Sequence, residues 1–247
     1  MSVPLTENYR EILHYLEAET ARGLFGHDAG KTNHTGLRKR IYASGDTIAD
    51  MDGQKRVVML VVSGWVSNGK ELEDGTRTVI DFSLTGDIIT VGSTEWAREE
   101  VRALSAVTVF ELPGAIYENL STYPRHVREF ILKGMARRYA RVAEHFVNIS
   151  RRGAFERVAN LLLELSFRVG GHQEDGANSF ACPLTQIDLS DALGLSVVHV
   201  NRVLRKLREG GYVTFRGGVV AFQNRPGLIE ATGFDSSYLA LAKPVHT

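Results

Sequence analysis

The sequence is short of several things, and each shortage closes off a class of function. It holds one cysteine, Cys182, in 247 residues. A single thiol forms no disulfide within the chain and cannot supply the four thiolates of an iron–sulfur cluster. No uninterrupted apolar run approaches the roughly 20 residues of a membrane span, and the start of the chain lacks a basic-then-apolar leader. The expectation is a soluble, cytoplasmic, globular protein with no membrane partner. Net charge is also missing, since 29 Lys and Arg balance 29 Asp and Glu. Finally, no nucleophile or metal signature such as Gly-x-Ser-x-Gly or His-Glu-x-x-His is present, so an enzyme is not expected. What remains is 43% hydrophobic and 23% charged residues over the length of about two domains.

The zero net charge conceals a segregation. Residues 38–123 carry nine basic and thirteen acidic side chains, a balance of minus four. Residues 125–152 carry eight basic ones (Arg125, Arg128, Lys133, Arg137, Arg138, Arg141, Arg151 and Arg152) against Glu129 and Glu144, a balance of plus six. Any nucleic-acid face therefore belongs to the second half.

Residues 184–207 there read as a helix-turn-helix. Thr185 caps a first helix that places Ile187, Leu189, Ala192 and Leu193 inward, and Gly194 supplies the positive φ that ends it. Leu195 fills the corner and Ser196 caps a second helix, whose buried stripe is Val200, Val203, Leu204 and Leu207. His199, Asn201, Arg202, Arg205, Lys206 and Arg208 fall outside the stripe. From Ser196 to Arg208 the helix carries four Arg or Lys and no acidic residue, which suits a groove walled by phosphates. Beyond Gly210-Gly211, the runs Tyr212–Arg216 and Val219–Phe222 flank Gly217-Gly218, a pair suited to a two-residue hairpin. A helix-turn-helix followed by such a hairpin is a winged helix, with Arg216 at the wing tip as a phosphate contact or a solvated side chain.

The first half reads as β structure. Glycines recur at 53, 64, 75 and 86, around short runs such as Val57–Val62 and Thr78–Phe82. Glu73-Asp74-Gly75-Thr76 suggests a type I′ hairpin turn. Further strands are expected around Ile88-Ile89 and from Ala106 to Leu112, giving an antiparallel jelly-roll barrel over about residues 36–114 behind a short helix around Tyr9–Glu19. A barrel of this size fills with side chains, so an internal ligand does not follow from it.

Between the two lies a heptad seam. Leu132, Met135, Tyr139, Val142, Phe146 and Ile149 are spaced three, four, three, four and three. Val127, Phe130 and Ile131 occupy another face suited to packing on the protein's own barrel, while Arg137, Arg138, Arg141 and Glu144 make the flanks polar. The seam is expected to meet the same helix of a second copy. After Gly153 a new helix begins with Val158, Leu161, Leu162 and Leu165 inward, ending at Gly170-Gly171 before a polar loop to Asn178.

The order barrel, long helix, winged helix resembles the family of the cyclic-AMP receptor protein and the fumarate and nitrate reduction regulator, over nearly the whole chain. Residues 60–66, 84–89 and 155–165 carry the resemblance, as does Gly233-Phe234-Asp235-Ser236-Ser237-Tyr238-Leu239, which is similar to the tail of a bacterial subgroup. Ala192–Leu204 is the most specific stretch. The implied fold class is α+β: an N-terminal jelly-roll, cyclic-nucleotide-binding-like β-barrel (residues 1–123), a dimerisation helix (124–152) and a C-terminal winged helix-turn-helix (153–247). The implied function is a homodimeric, sequence-specific regulator of transcription that binds a palindromic double-stranded DNA operator, with RNA polymerase as a further partner.

The departures from the family are informative too. Where the cyclic-AMP branch has a ribose-binding carboxylate and a phosphate-binding Arg followed by Ser or Thr, this chain has Thr90-Val91-Gly92 and, in the second region, Arg98 and Arg102, the latter followed by Ala103. Valine cannot accept a hydrogen bond from a ribose hydroxyl, so cyclic AMP is not the expected effector; Arg98 and Arg102 read as loop residues. The cysteine count excludes the iron–sulfur branch. A haem branch would need axial ligands, and no spacing singles out His34, His126 or His145. No cofactor is identified. In the recognition helix Arg202 matches the guanine-reading position of relatives, with His199, Asn201 and Arg205 as secondary base or phosphate contacts. Val197 and Val198 stand where the family often has Arg or Glu and suit thymine methyl groups, and Thr185, Gln186, Ser196 and Lys206 would position the DNA backbone. The alternative is a regulator of the same fold whose barrel is structural only, with no effector.

Overall fold

The structure is a computed structural model that describes residues 7–21, 37–49, 57–91, 99–113, 116, 120–170 and 177–239. The chain divides into two units, one within residues 5–76 and 82–138, the other within residues 77–81 and 139–247.

The first unit contains α1 (Glu7–Ala21) and the strands β1 (Arg38–Tyr42), β2 (Thr47–Ala49), β3 (Val57–Ser63), β4 (Val66–Glu71), β5 (Arg77–Ser83, which also enters the second unit), β6 (Ile88–Val91), β7 (Glu100–Ala103) and β8 (Val107–Pro113). They form two four-stranded sheets in the orders β1-β8-β3-β6 and β2-β7-β4-β5. The chain changes sheet at every connection except the β4–β5 hairpin, which is a jelly-roll order. The expected barrel is corrected in one respect. Among the described residues no strand pair joins the two sheets, so they form a sandwich and not the continuous ladder a closed barrel requires. Gly64 makes one change of sheet possible: its φ is +94°, and a Cβ there would lie 2.3 Å from the Ala106 carbonyl oxygen.

Strand β3 explains the unbroken apolar run. Val57, Met59 and Val61 meet Val66, Ile89, Val101 and Val109 in the interior between the sheets. Their neighbours Val58 and Leu60 join Phe110 and Leu112 against Tyr9, Ile12 and Leu16 of α1 and Val127, Phe130 and Ile131 of the next helix, α2 (Arg125–Arg151). A sheet covered on both faces needs apolar residues at every position, and each full burial of such a side chain stabilises by about 1.5–3 kcal/mol. The expected packing of Val127, Phe130 and Ile131 on the protein's own sheet is thus present. At Gly134 α2 presses so close to β6 that a Cβ would stand 2.6 Å from Ile88 Cγ1.

The β4–β5 turn also differs from expectation. Gly75 N–H donates to the Leu72 carbonyl at 2.9 Å, Leu72 N–H donates to the Thr76 carbonyl at 2.8 Å, and only Gly75 has positive φ, +80°. This is a three-residue loop with glycine in the left-handed position, not a type I′ turn, because Asp74 keeps negative φ and its carboxylate accepts from Thr76 N–H at 2.8 Å.

The second unit holds the C-terminal part of α2, then α3 (Ala154–Val169), β9 (Ser179–Ala181), α4 (Gln186–Leu193), α5 (Val197–Glu209), β10 (Val213–Arg216), β11 (Val219–Phe222) and α6 (Arg225–Thr232). Val158, Leu161, Leu162 and Leu165 of α3 are buried as expected. Strand β9, which extends the hairpin into the sheet β10-β11-β9, and α6 were not anticipated. Helix α6 has clear signals all the same, with Asn224 as cap, Pro226 in its first turn and Gly233 at φ +61° as its end.

Candidate nucleic-acid interface

Helix α4 starts at a reciprocal cap. Asp188 N–H donates to the Thr185 hydroxyl oxygen at 3.2 Å, while Thr185 N–H and its hydroxyl donate to Asp188 Oδ2 at 2.8 and 2.7 Å. It ends at Gly194, φ +61°, whose N–H donates to the Ser190 carbonyl. Leu189, Ala192 and Leu193 face inward, but Ile187, expected inward as well, is 60% exposed. At about 100° per residue it lies opposite Leu189 and Ala192, so no rotation of the helix buries all four.

After the half-buried Leu195, the Ser196 hydroxyl accepts from His199 N–H at 3.2 Å and starts α5. Val200, Val203 and Leu207 are buried and Leu204 is half-buried. The same rotation turns Val198, Arg202 and Arg205 to the opposite side; Val198 is 69% exposed, and Val197, His199, Asn201 and Lys206 are exposed beside it. Arg202, Arg205 and Lys206 make no ion pair among the described residues. In the wing, Gly217 and Gly218 have φ of +56° and +73°, the two positive values of a type I′ turn, and Arg216 pairs with Val219 at the exposed tip. Thr185 and Gln186 are exposed at the start of α4, although the Thr185 hydroxyl is already engaged in its cap.

The basic surplus of residues 125–152 fares differently. Arg138 pairs with Glu99, Arg152 with Glu144 at 2.7 Å, and Arg125 with Glu129 at 2.6 Å. Arg141, read from the sequence as a polar flank, is 4% exposed and grips Asp81 of β5 through Nε at 3.1 Å and Nη2 at 2.8 Å. Periodicity gave no sign of it because a buried acid on a distant strand supplies the partner. The cations of this segment are thus largely paired within the protein, whereas Arg202, Arg205 and Lys206 of α5 have no ion-pair partner among the described residues.

Four of the seam residues on α2 lie open: Leu132, Met135, Tyr139 (77% exposed) and Phe146 (66%), with Val147 beside them, while Val142 and Ile149 are half-buried. The candidate effector pocket is not assembled among the described residues. Val91 is buried in the core between the sheets and Thr90 is half-buried beside it. Arg102 lies on β7, not in a loop, and its Nη2 is held by Glu100 Oε1 at 2.6 Å. Gly92, Arg98 and His34 fall outside the described residues. His126 stacks edge-on against Tyr15 at 5.4 Å, and His145 is half-buried on α2. Burial pushes the Cys182 thiol up to about 12, so it stays protonated at neutral pH. No helix among the described residues is long and apolar enough to cross a membrane.

A capped helix-turn-helix with an exposed cationic second helix and a type I′ wing is the DNA-binding module of a winged-helix regulator. Comparisons with known proteins agree. Residues 156–231 match the family described as the Crp-like helix-turn-helix domain. The nitrogen fixation regulation protein FixK of Rhizobium meliloti is 30% identical over 180 residues, covering 72% of this chain and 75% of the relative. The anaerobic regulatory protein of Haemophilus influenzae is 26% identical over 188 residues, 75% of this chain and 73% of the relative. The solved structure of FixK2 from Bradyrhizobium japonicum superposes with a TM-score of 0.69 at 26% identity, covering 79% of this chain and 96% of that one. The chain belongs to the family of the cyclic-AMP receptor protein and the fumarate and nitrate reduction regulator, whose members are DNA-binding transcription regulators and not enzymes.

Proposed function

We propose that the protein binds a palindromic operator as a homodimer, pairing the α2 seams of two copies and presenting one α5 to each half-site. The observation that carries this reading is the outward face of α5, where Arg202 stands exposed between Val198 and Arg205, with no ion pair among the described residues. A guanidinium there can bond guanine O6 and N7 through both arms of its fork. Val197 and Val198 offer methyl groups to thymine, and His199, Asn201 and Arg205 add base or phosphate contacts. Gln186, Ser196, Lys206 and Arg216 would contact phosphates, as would Thr185 through its backbone. In this reading residues 1–123, 124–152 and 153–247 are the sensory, dimerising and DNA-binding parts, and RNA polymerase is the further partner.

The seam supports the homodimer. Leu132, Met135, Tyr139 and Phe146 expose a stripe that water does not favour, and one copy of the helix offers one such stripe. Cyclic AMP is not the effector, because Val91 brings no hydrogen-bond acceptor and Arg102 is held by Glu100. The same two observations favour a second reading in which the jelly roll is structural and takes no effector. An iron–sulfur cluster has only Cys182 to draw on, and its thiol is buried and protonated. The test is selection from a pool of random duplexes. Recovery of an inverted repeat by the wild type, lost on Arg202→Ala, is expected; recovery without sequence enrichment overturns the reading. Calorimetry with cyclic AMP should show no micromolar binding, and binding that raises DNA affinity would reverse that part.

A further inference from the structure

Helix α4 is held at both ends by guanidinium groups that come from elsewhere. At its C-terminal end Arg157 of α3 donates from Nη1 to the Leu193 carbonyl at 3.2 Å and from Nε to the Arg152 carbonyl at 2.8 Å. A cation suits that end, where the helix carbonyls gather partial negative charge. Asp188 stands in the first turn of α4 and Asp191 three residues on, both on one face. Arg77 of β5 lies between them, Nη1 being 3.5 Å from Asp188 Oδ1 and 3.8 Å from Asp191 Oδ2. All three side chains are largely withdrawn from water. Burial pushes the Asp191 carboxyl up and Asp188 adds to the rise, while Arg77 opposes both.

Arg77 itself stands on a fixed base. Four residues along the strand, Asp81 is gripped by both arms of Arg141 and lies 3.9 Å from Arg168 Nη1. Arg168 also donates to Glu164 Oε1 at 3.0 Å, and the Tyr238 hydroxyl donates to Glu164 Oε2 at 2.9 Å. These charges alternate in sign and are nearly fully buried, and removing one member of such a chain leaves a charge without water or partner. Residues 77–81 are therefore anchored at Asp81 and present Arg77 to α4.

We infer that Arg77, a strand residue outside the winged helix, is a positioning residue for DNA recognition: by bridging Asp188 and Asp191 it fixes α4, and through the turn at Gly194 the angle at which α5 meets the groove. This rests on the DNA-binding reading of α5. Its effect on affinity is assigned to α4 and not to a contact of its own with DNA.

The test uses the full chain, the duplex selected by the wild type, and Arg77→Ala, Arg77→Lys and the double swap Arg77→Asp with Asp191→Arg. Arg77→Ala should weaken binding to the selected duplex about tenfold, an ordinary size for coupling between separate sites. Arg77→Lys should keep most of the affinity and the swap should recover much of the loss. Equal affinity for Arg77→Ala and wild type, or equal loss in all three variants, overturns the inference. Amide exchange of α4 in the free protein gives an answer that does not depend on DNA: Arg77→Ala should speed exchange across residues 188–193, and unchanged exchange also overturns it. A wild type that selects no duplex sinks the DNA-binding reading instead, and the exchange result still decides the clamp.

Discussion

Helices α2 and α5 are each amphipathic, each settled by one face on the protein's own core, and they differ in what the other face offers. Helix α5 buries Val200, Val203 and Leu207 and shows water Arg202, Arg205 and Lys206. Helix α2 buries Val127, Phe130 and Ile131 and shows Leu132, Met135, Tyr139 and Phe146. Free cations are comfortable in water and remain available to phosphates and bases. Apolar side chains are not comfortable there; each Å² left exposed forgoes about 25 cal/mol, so such a face calls for a protein partner. Counted along the sequence, α2 is the more basic segment. In the folded chain several of its charges are paired within the protein, by Glu99, Asp81 and Glu129, whereas Arg202, Arg205 and Lys206 of the helix with fewer charges make no ion pair among the described residues. Charge that is counted is not charge that is available.

The strongest way to break this comparison is to put a charge on the apolar face. Phe146→Asp should leave the protomer fold intact, because the side chain is exposed, but would set two carboxylates close together in the proposed two-fold interface. Sedimentation should show a monomer, and affinity for the selected duplex should fall at least about a hundredfold as the second half-site is lost. Val142→Asp, half-buried in mid-seam, should do the same at some further expense in stability. A Phe146→Asp protein that stays dimeric would show that the seam has been misassigned.

Next in size is removal of the central cation of α5. Arg202→Ala should cost about 1–3 kcal/mol per half-site and relax the preference at one base position, with the dimer unchanged. Competition binding with single-base operator variants checks it, and a uniform loss across all bases would make Arg202 a phosphate contact. Arg216→Ala on the wing should give that uniform loss, lowering the slope of affinity against salt by about one per protomer. An unchanged salt slope would take the wing off the DNA. Smallest of all is the effect expected at Cys182. With its thiol held near 12, thiol reagents should leave the folded protein unmodified from pH 6 to 9 and oxidants should leave its DNA affinity unaltered. Labelling of the native protein would show the site to be open.

Local rules made the C-terminal module legible. Thr185, Gly194, Ser196 and Gly217-Gly218 each act within four residues of themselves, and the structure shows all of them in the expected capping or turn geometry. Of the six residues the heptad spacing marked on α2, Leu132, Met135, Tyr139 and Phe146 lie open and Val142 and Ile149 are half-buried. What the sequence concealed depends on residues far apart in the chain. Arg141 looked like a solvated flank because Asp81 is 60 residues away. Ile187 looked buried because it is apolar, although its angle on α4 turns it outward. The Asp74-Gly75 pair signalled a hairpin correctly but not which turn, since a three-residue loop also puts glycine at the left-handed position. Strand β9, at three residues, is too short to show any period, and it exists because β11 offers it a ladder. Arg77 carried no signal of its own, for the two carboxylates of α4 that it meets lie more than 100 residues further along the chain.

The most direct test of the central claim is the stoichiometry and symmetry of the DNA complex. Sedimentation of the wild-type protein with the selected duplex, together with a footprint on both strands, should show two chains on one duplex and two protected half-sites related by inversion, with centres one helical turn, about 34 Å, apart. One chain per duplex on a sequence without a repeat would contradict both the role given to the apolar face of α2 and the division of labour between the two helices.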